Sequence, residues 1–152
     1  MAKKKENQSK AVKWDYSPAP ESSSHINMKD QYELFIGGEW VKPSSGKYFD
    51  TINPANKKKL AKIAYANEKD VDKAVKAARK AYKTVWSKTA PAERAKYIYR
   101  IARLMQERAR EFAVIESLDS GKVIRESRDV DVPLACNHFF YYAGWADKLE
   151  YA

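Results

Sequence analysis

The sequence predicts an α/β fold in which short hairpin strands come first and a helix-rich stretch follows. Three observations carry this. Between residues 34 and 65, short apolar runs are separated by Gly, Pro and Asn turns. From Val71 onward, apolar residues recur at helical spacing. Residues 1–30 show neither period and read as a flexible tail containing lysine, serine and proline, leaving 31–152 as the folded part.

The tail carries Lys3-Lys4-Lys5, Ser17-Pro18-Ala19-Pro20 and Ser22-Ser23-Ser24. Trp14 and Tyr16 are its apolar spots, too few to make a core, so it is expected to be disordered or to lie as a strap on another surface. Leu34-Phe35-Ile36 and Glu39-Trp40-Val41 then flank Gly37-Gly38, the pair that tolerates the positive φ angles of a tight hairpin turn. Pro43-Ser44-Ser45-Gly46 turns the chain again. Tyr48-Phe49-Asp50-Thr51-Ile52 reads as a third strand, stopped by Asn53-Pro54, and Leu60 to Tyr65 as a fourth.

Asn67, with Asp70 three residues on, caps the first helix. Its apolar stripe is Val71, Ala74, Val75, Ala78, Ala81, Tyr82 and Val85, alanine-rich enough for a close approach to a partner. Pro91 opens a second helix whose expected inner face is Tyr97, Ile98, Ile101, Ala102, Leu104 and Met105. Its stripe drifts at Arg108-Ala109, which predicts a kink there before the run continues through Phe112, Ile115 and Leu118. Gly121 is placed for a left-handed end. A third helix, capped by Ser127, Asp129 or Asp131 with Pro133 in its first turn, holds Phe139, Phe140, Tyr141, Tyr142 and Trp145. A helix apolar nearly all round expects cover on several sides, and little of this chain is left to provide it.

The totals exclude several classes. One cysteine, Cys136, permits no internal disulfide and fits a reducing compartment. With His25 and His138 as the sole histidines, no four-ligand Cys/His zinc site can assemble. No window approaches the ~18 apolar residues of a membrane span, and no apolar run follows the N-terminal lysines as in a secretory signal. These points predict a cytoplasmic protein with no membrane partner. The net charge of +9 fits lysine-solvated helix faces better than a nucleic-acid footprint, because the basic residues are spread along the chain.

Among candidate constellations, Cys136 and His138 project about 200° apart on a helix and make a poor nucleophile–base pair. A buried thiol and a partly buried imidazole are expected instead. No Gly-x-Gly-x-x-Gly or phosphate loop occurs, so the chain has no dinucleotide fingerprint of its own. Consecutive aromatics from Phe139 to Tyr142 point all round a helix, which suits packing better than base stacking. Asp119 is the odd residue. An acid near a helix C-terminus is disfavoured by the macrodipole, so its carboxylate is expected to bond backbone N–H groups of another segment or a cation.

Taken together, six segments resemble the N-terminal portion of the NAD(P)-dependent aldehyde dehydrogenase superfamily. In order they are Phe35-Ile36-Gly37-Gly38-Glu39-Trp40, Thr51-Ile52-Asn53-Pro54, the run from Asp70 to Arg79, Glu93-Arg94-Ala95, Glu116 to Lys122, and Tyr141 to Lys148. The resemblance covers about residues 32–152. It implies an aldehyde dehydrogenase-like α/β fold, of which 31–152 is the helix-rich N-terminal flank of the cofactor-binding domain. It further implies oxidation of an aldehyde to a carboxylic acid, with NAD or NADP bound by the part of the fold absent here. The family's nucleophilic cysteine, its glutamate and its oxyanion-stabilising asparagine also fall beyond Ala152.

On this resemblance no catalytic or cofactor-binding residue is assigned within the chain. Cys136 matches no catalytic position, and the 152-residue chain alone is expected to be inactive. A structural monovalent cation is implied at the main-chain carbonyl of Ile52 and the carboxylate of Asp119. The partners implied are the remainder of the fold, a small-molecule aldehyde and, for the complete enzyme, further copies in a homo-oligomer. Two positions depart from the family pattern: Ser120 stands where many members have Asn, and Val123 where many have Pro. Two other readings stay open on the residues alone. One is a free-standing helical interaction module derived from that family, and the other a basic nucleic-acid-binding domain.

Overall fold

A computed structural model describes Ala19 and residues 22–151. The sequence readings on residues 1–18 therefore lie outside the described residues. Within the expected tail, Ser23–His25 forms a 3-10 turn capped by the Ser22 hydroxyl, so local order begins earlier than the sequence predicts.

Among the described residues, five short strands form two sheets. β1 (Gln31–Tyr32), β5 (Lys59–Ala64) and β4 (Tyr48–Ile52) make a three-stranded sheet in the order β1-β5-β4. β4 and β5 run antiparallel and β1 pairs parallel with β5. β2 (Leu34–Ile36) and β3 (Glu39–Val41) are a separate hairpin with Phe35 opposite Trp40. Its turn is the expected one: Gly37 and Gly38 have φ of 66° and 93°, a conformation that side chains with a Cβ avoid. The fourth predicted strand is shifted by one residue, to Lys59–Ala64. β1 escaped the sequence reading because two residues show no alternation.

α1 (Glu68–Thr84) begins where expected. The Asn67 side chain accepts from the Asp70 N–H while Asp70 accepts from the Asn67 N–H, a reciprocal cap. Its packing differs from the predicted stripe. The covered side is Asp70, Ala74 and Ala77, rotated by roughly 80° from the Val71–Val85 stripe at 100° per residue. The hairpin tip explains this: a Cβ on Gly37 would lie 3.7 Å from that of Ala77.

α2 (Pro91–Glu107) carries Pro91 in its first turn. The expected kink at Arg108 is a full break, with φ −103° and ψ 18° separating α2 from α3 (Ala109–Ser120). α4 (Ile124–Glu126) leads through a π-helical turn, Ser127–Asp131, into α5 (Val132–Trp145). This corrects the expected cap of the third helix. Ser127 and Asp131 both have helical backbone angles, not the extended angles of an N-cap, and no side chain caps α5. Pro133 accounts for the widened turn, because it has no N–H for a regular helical bond.

α5 lies along α2, with Tyr99 and Phe140 in edge contact at 4.9 Å between ring centres. Ala113, Val132 and Cys136 form the centre of the core, with Met105 and Phe140 packed on it. On α2 the buried residue is Ala102. Tyr97, Ile101 and Leu104 of its predicted inner face are exposed. Among the described residues the core is built mainly of alanines, and the largest fully buried side chain is Ser127. Most of the large apolar side chains among the described residues stay exposed.

Candidate functional site

The corner at the end of α3 ties three parts of the chain together. Gly121 ends the helix with φ 75°, as its position predicted, and its N–H donates to the Ser117 carbonyl. A Cβ there would also lie 3.2 Å from Pro54, so the corner sits against the Asn53-Pro54 turn. Asp119 accepts a hydrogen bond from the Thr51 hydroxyl. The expected specific partner therefore exists, and it is a side-chain hydroxyl and not a backbone N–H. The contact places Asp119 beside the strand end that carries Ile52, where the β4–β5 register shifts between Thr51 and Ile52.

Lys122 extends the tie. Its ammonium donates to Asp131 at 2.6 Å and lies 3.7 Å from Glu116. The Asp131 bond, then the two acidic charges, hold the Lys122 pKa above the ordinary lysine range. Below it, Ser117 donates to the fully buried Ser127 at 3.2 Å, joining α3 to the π-helical turn. The two departures from the family pattern fit locally. Ser120 donates to the Glu116 carbonyl at 2.6 Å and accepts from the Lys122 N–H at 3.2 Å. Val123 has φ −63°, the value a proline ring would impose, so the backbone path is one proline also takes.

The sequence did not reveal a second clasp. Asp70 is buried, and its carboxylate accepts from the Ser44 hydroxyl at 2.5 Å, the Ser44 N–H at 3.0 and 3.1 Å and the Asn67 N–H at 3.1 Å. The Ser44 hydroxyl, with the backbone donors, holds its carboxyl below the ordinary carboxylate range. The capping signal at Asn67 and Asp70 was legible. Ser44, 26 positions away, carried no local mark of the bond.

These contacts build structure. Cys136 is buried among Ala113 and Val132, where no substrate can reach its sulfur, while His138 is exposed rather than partly buried. α1 follows a strand, the place where a dinucleotide phosphate could meet helix N–H groups. Here Asn67 occupies the Asp70 N–H, and the Asp70 carboxylate would repel a phosphate, so these residues do not fit that cofactor. Among the described residues, no cluster of three or more His, Cys, Asp or Glu could hold a metal ion. Among them, too, no helix is long and apolar enough to cross a membrane.

The sequence profile of the Aldehyde dehydrogenase family matches residues 40–152. The chain belongs to the aldehyde dehydrogenase family. It is 43% identical over 129 residues to a long-chain-aldehyde dehydrogenase of Acinetobacter sp, covering 85% of this chain and 25% of that protein. It is 45% identical over 117 residues to an aldehyde dehydrogenase of Alternaria alternata, covering 77% of this chain and 24% of that protein. A Bacillus cereus aldehyde dehydrogenase, solved as its NAD+ complex, superposes with a TM-score of 0.77 at 39% identity. That match covers 82% of this chain and 27% of the Bacillus chain. The chain thus spans about a quarter of the length of these aldehyde dehydrogenases, corresponding to their N-terminal part. The corner and clasp described above lie inside the matched region.

Proposed function

We propose that this chain is the N-terminal framework of an NAD(P)-dependent aldehyde dehydrogenase that oxidises an aldehyde to a carboxylic acid. In that enzyme, the reacting groups and the cofactor cradle come from the other three quarters of the fold. The bound NAD or NADP supplies the hydride acceptor. The supporting observation is the family match combined with two polar clusters in the matched region, at Asp119 and at Asp70, that join distant segments. Corner and clasp hold α1 and α3 against the sheet, and such fixed elements keep a distant active site in register.

Purified chain mixed with a short or a long aldehyde and NAD or NADP tests this directly. The expected result is no aldehyde-dependent reduced cofactor above the protein-free rate. Turnover proportional to chain concentration would overturn the assignment of chemistry elsewhere. We also place the complete enzyme in the cytoplasm as a homo-oligomer, consistent with the buried, unpaired Cys136.

Within the same reading, the Ile52 carbonyl and Asp119 contribute two oxygens to a structural monovalent cation, with further ligands from outside this chain. The support is electrostatic. Asp119 sits in the last turn of α3, where the helix dipole is negative, and its one hydrogen-bond partner is neutral. Anomalous scattering from crystals of the complete enzyme grown in rubidium should show a peak between these oxygens. A water at full occupancy in that position would remove the cation.

A further inference from the structure

α1 has a charged face as well as an apolar one. Lys69, Lys73, Lys76, Lys80 and Lys83 follow at alternating spacings of four and three residues, which gathers them into an arc of about 80° at 100° per residue. They form a straight row about 21 Å long at 1.5 Å per residue, and all five residues are exposed. The sequence reading put the +9 charge down to solvated faces because the basic residues are spread along the chain. On α1 they line up.

On α2 and at the start of α3, Lys96, Arg103 and Arg108 each pair with an acid three or four residues away. Among the described residues, none of the five lysines of α1 stands in an ion pair. Of the acids of α1, Asp70 is buried in the Ser44 clasp, while Glu68 and Asp72 stand at one border of the row beside a sixth cation, Arg79. Like charges three and four residues apart work against a helix, and Lys69 adds a cation at the positive end of its dipole. The row therefore costs stability until an anion lies along it. We propose that this row binds the phosphate backbone of double-stranded nucleic acid, without reading its sequence.

Shape and charge select that partner. A narrow, straight row suits a line of phosphates better than a lipid plane, on which cations anywhere across a broad face count alike. A single strand calls for aromatic platforms, and the row contains none. An acidic peptide gains little from exposed lysine–carboxylate pairs, whereas each phosphate neutralised on a duplex also releases condensed counterions. Contacts to phosphate position a duplex and carry no sequence information.

The test is fluorescence anisotropy of the purified chain with a labelled duplex of about 20 base pairs, longer than the row. Five phosphate contacts give log affinity against log salt a slope of about −4.5, so binding should weaken by about 500-fold between about 50 and 200 mM salt. Lys73→Glu with Lys76→Glu should weaken binding at least about tenfold at low salt and flatten the slope by about two, whereas Lys96→Glu on α2 should change it less than about twofold. Lys73→Gln with Lys76→Gln should flatten the slope equally without reversing a charge. Glu and Gln favour a helix as Lys does, and circular dichroism checks that α1 is kept. The absence of duplex binding at low salt overturns the proposal. So does binding that the α1 variants leave unchanged, which would assign the duplex to other cations of the chain. Binding to phosphatidylglycerol vesicles that the same variants abolish, without duplex binding, overturns it in favour of a lipid partner. The enzyme reading stands apart from each of these results.

Discussion

The two ends of the chain use apolar residues in opposite ways. In the helical half, α2, α3 and α5 close on one another over small side chains, with Ala102, Ala113 and Ala143 all but inaccessible. At the front, α1 and the hairpin meet over Gly37 and Ala77 and leave larger residues outward, including Phe35 and Trp40. The stronger periodicity thus belongs to the less buried helix. Amphipathic spacing records that a face will be covered, and the covering element can lie outside the chain.

Substitutions should separate the halves. Ala102→Leu forces a larger side chain into a closed interface and should lower the local stability of α2 and α5 by about 1–3 kcal/mol. Ala78→Leu on α1 should change that helix by less than about 0.5 kcal/mol. Both are read from native-state amide exchange, and similar costs at the two sites would erase the contrast.

Next in size is the corner. Gly121→Ala must place a Cβ in a left-handed residue and against Pro54, costing about 1–2 kcal/mol from the backbone alone. Gly38→Ala has the same backbone problem at φ 93° but open space around it, so it should cost less. Denaturant midpoints that reverse this order would show that the Pro54 contact carries nothing.

The Asp70 clasp should make the start of α1 acid-sensitive. Its folded pKa lies below the ordinary value of 3.8, so its contribution is complete above that value and is lost as the pH falls through the depressed one. Asp70→Asn should flatten this acid response, measured as exchange of the first-turn amides against pH. An unchanged profile would assign the acid response to another group.

The smallest effect is spectroscopic. Tyr48 donates to Glu33 at 2.7 Å, and that bond pushes its pKa up to about 12. Glu33→Gln should bring it back toward 10, followed by NMR of ring-labelled tyrosine. A Tyr48 titration unmoved by the substitution would remove the bond.

What the sequence showed was local. Gly37-Gly38, the Asn67 cap, Pro91, the drift at Arg108 and the Gly121 stop act within a few residues, and each appears in the fold. The partners of Asp70 and Asp119 were hidden, because Ser44 and Thr51 are ordinary polar residues brought in by tertiary packing. The π-helical turn was hidden too: Asp131 followed by Pro133 spells a helix start equally well. The direction of α1's covered side depended on the hairpin tip, which no spacing within the helix reveals.

On the proposed function, this chain supplies framework and the chemistry lies elsewhere in the complete enzyme. Cys136→Ala decides this, in a chimera in which the chain replaces the corresponding quarter of the Bacillus cereus aldehyde dehydrogenase, assayed for aldehyde-dependent formation of NADH. Activity should stay within about twofold of the unsubstituted chimera, since the thiol is a buried packing group. A loss of about a hundredfold or more with unchanged thermal unfolding would contradict it.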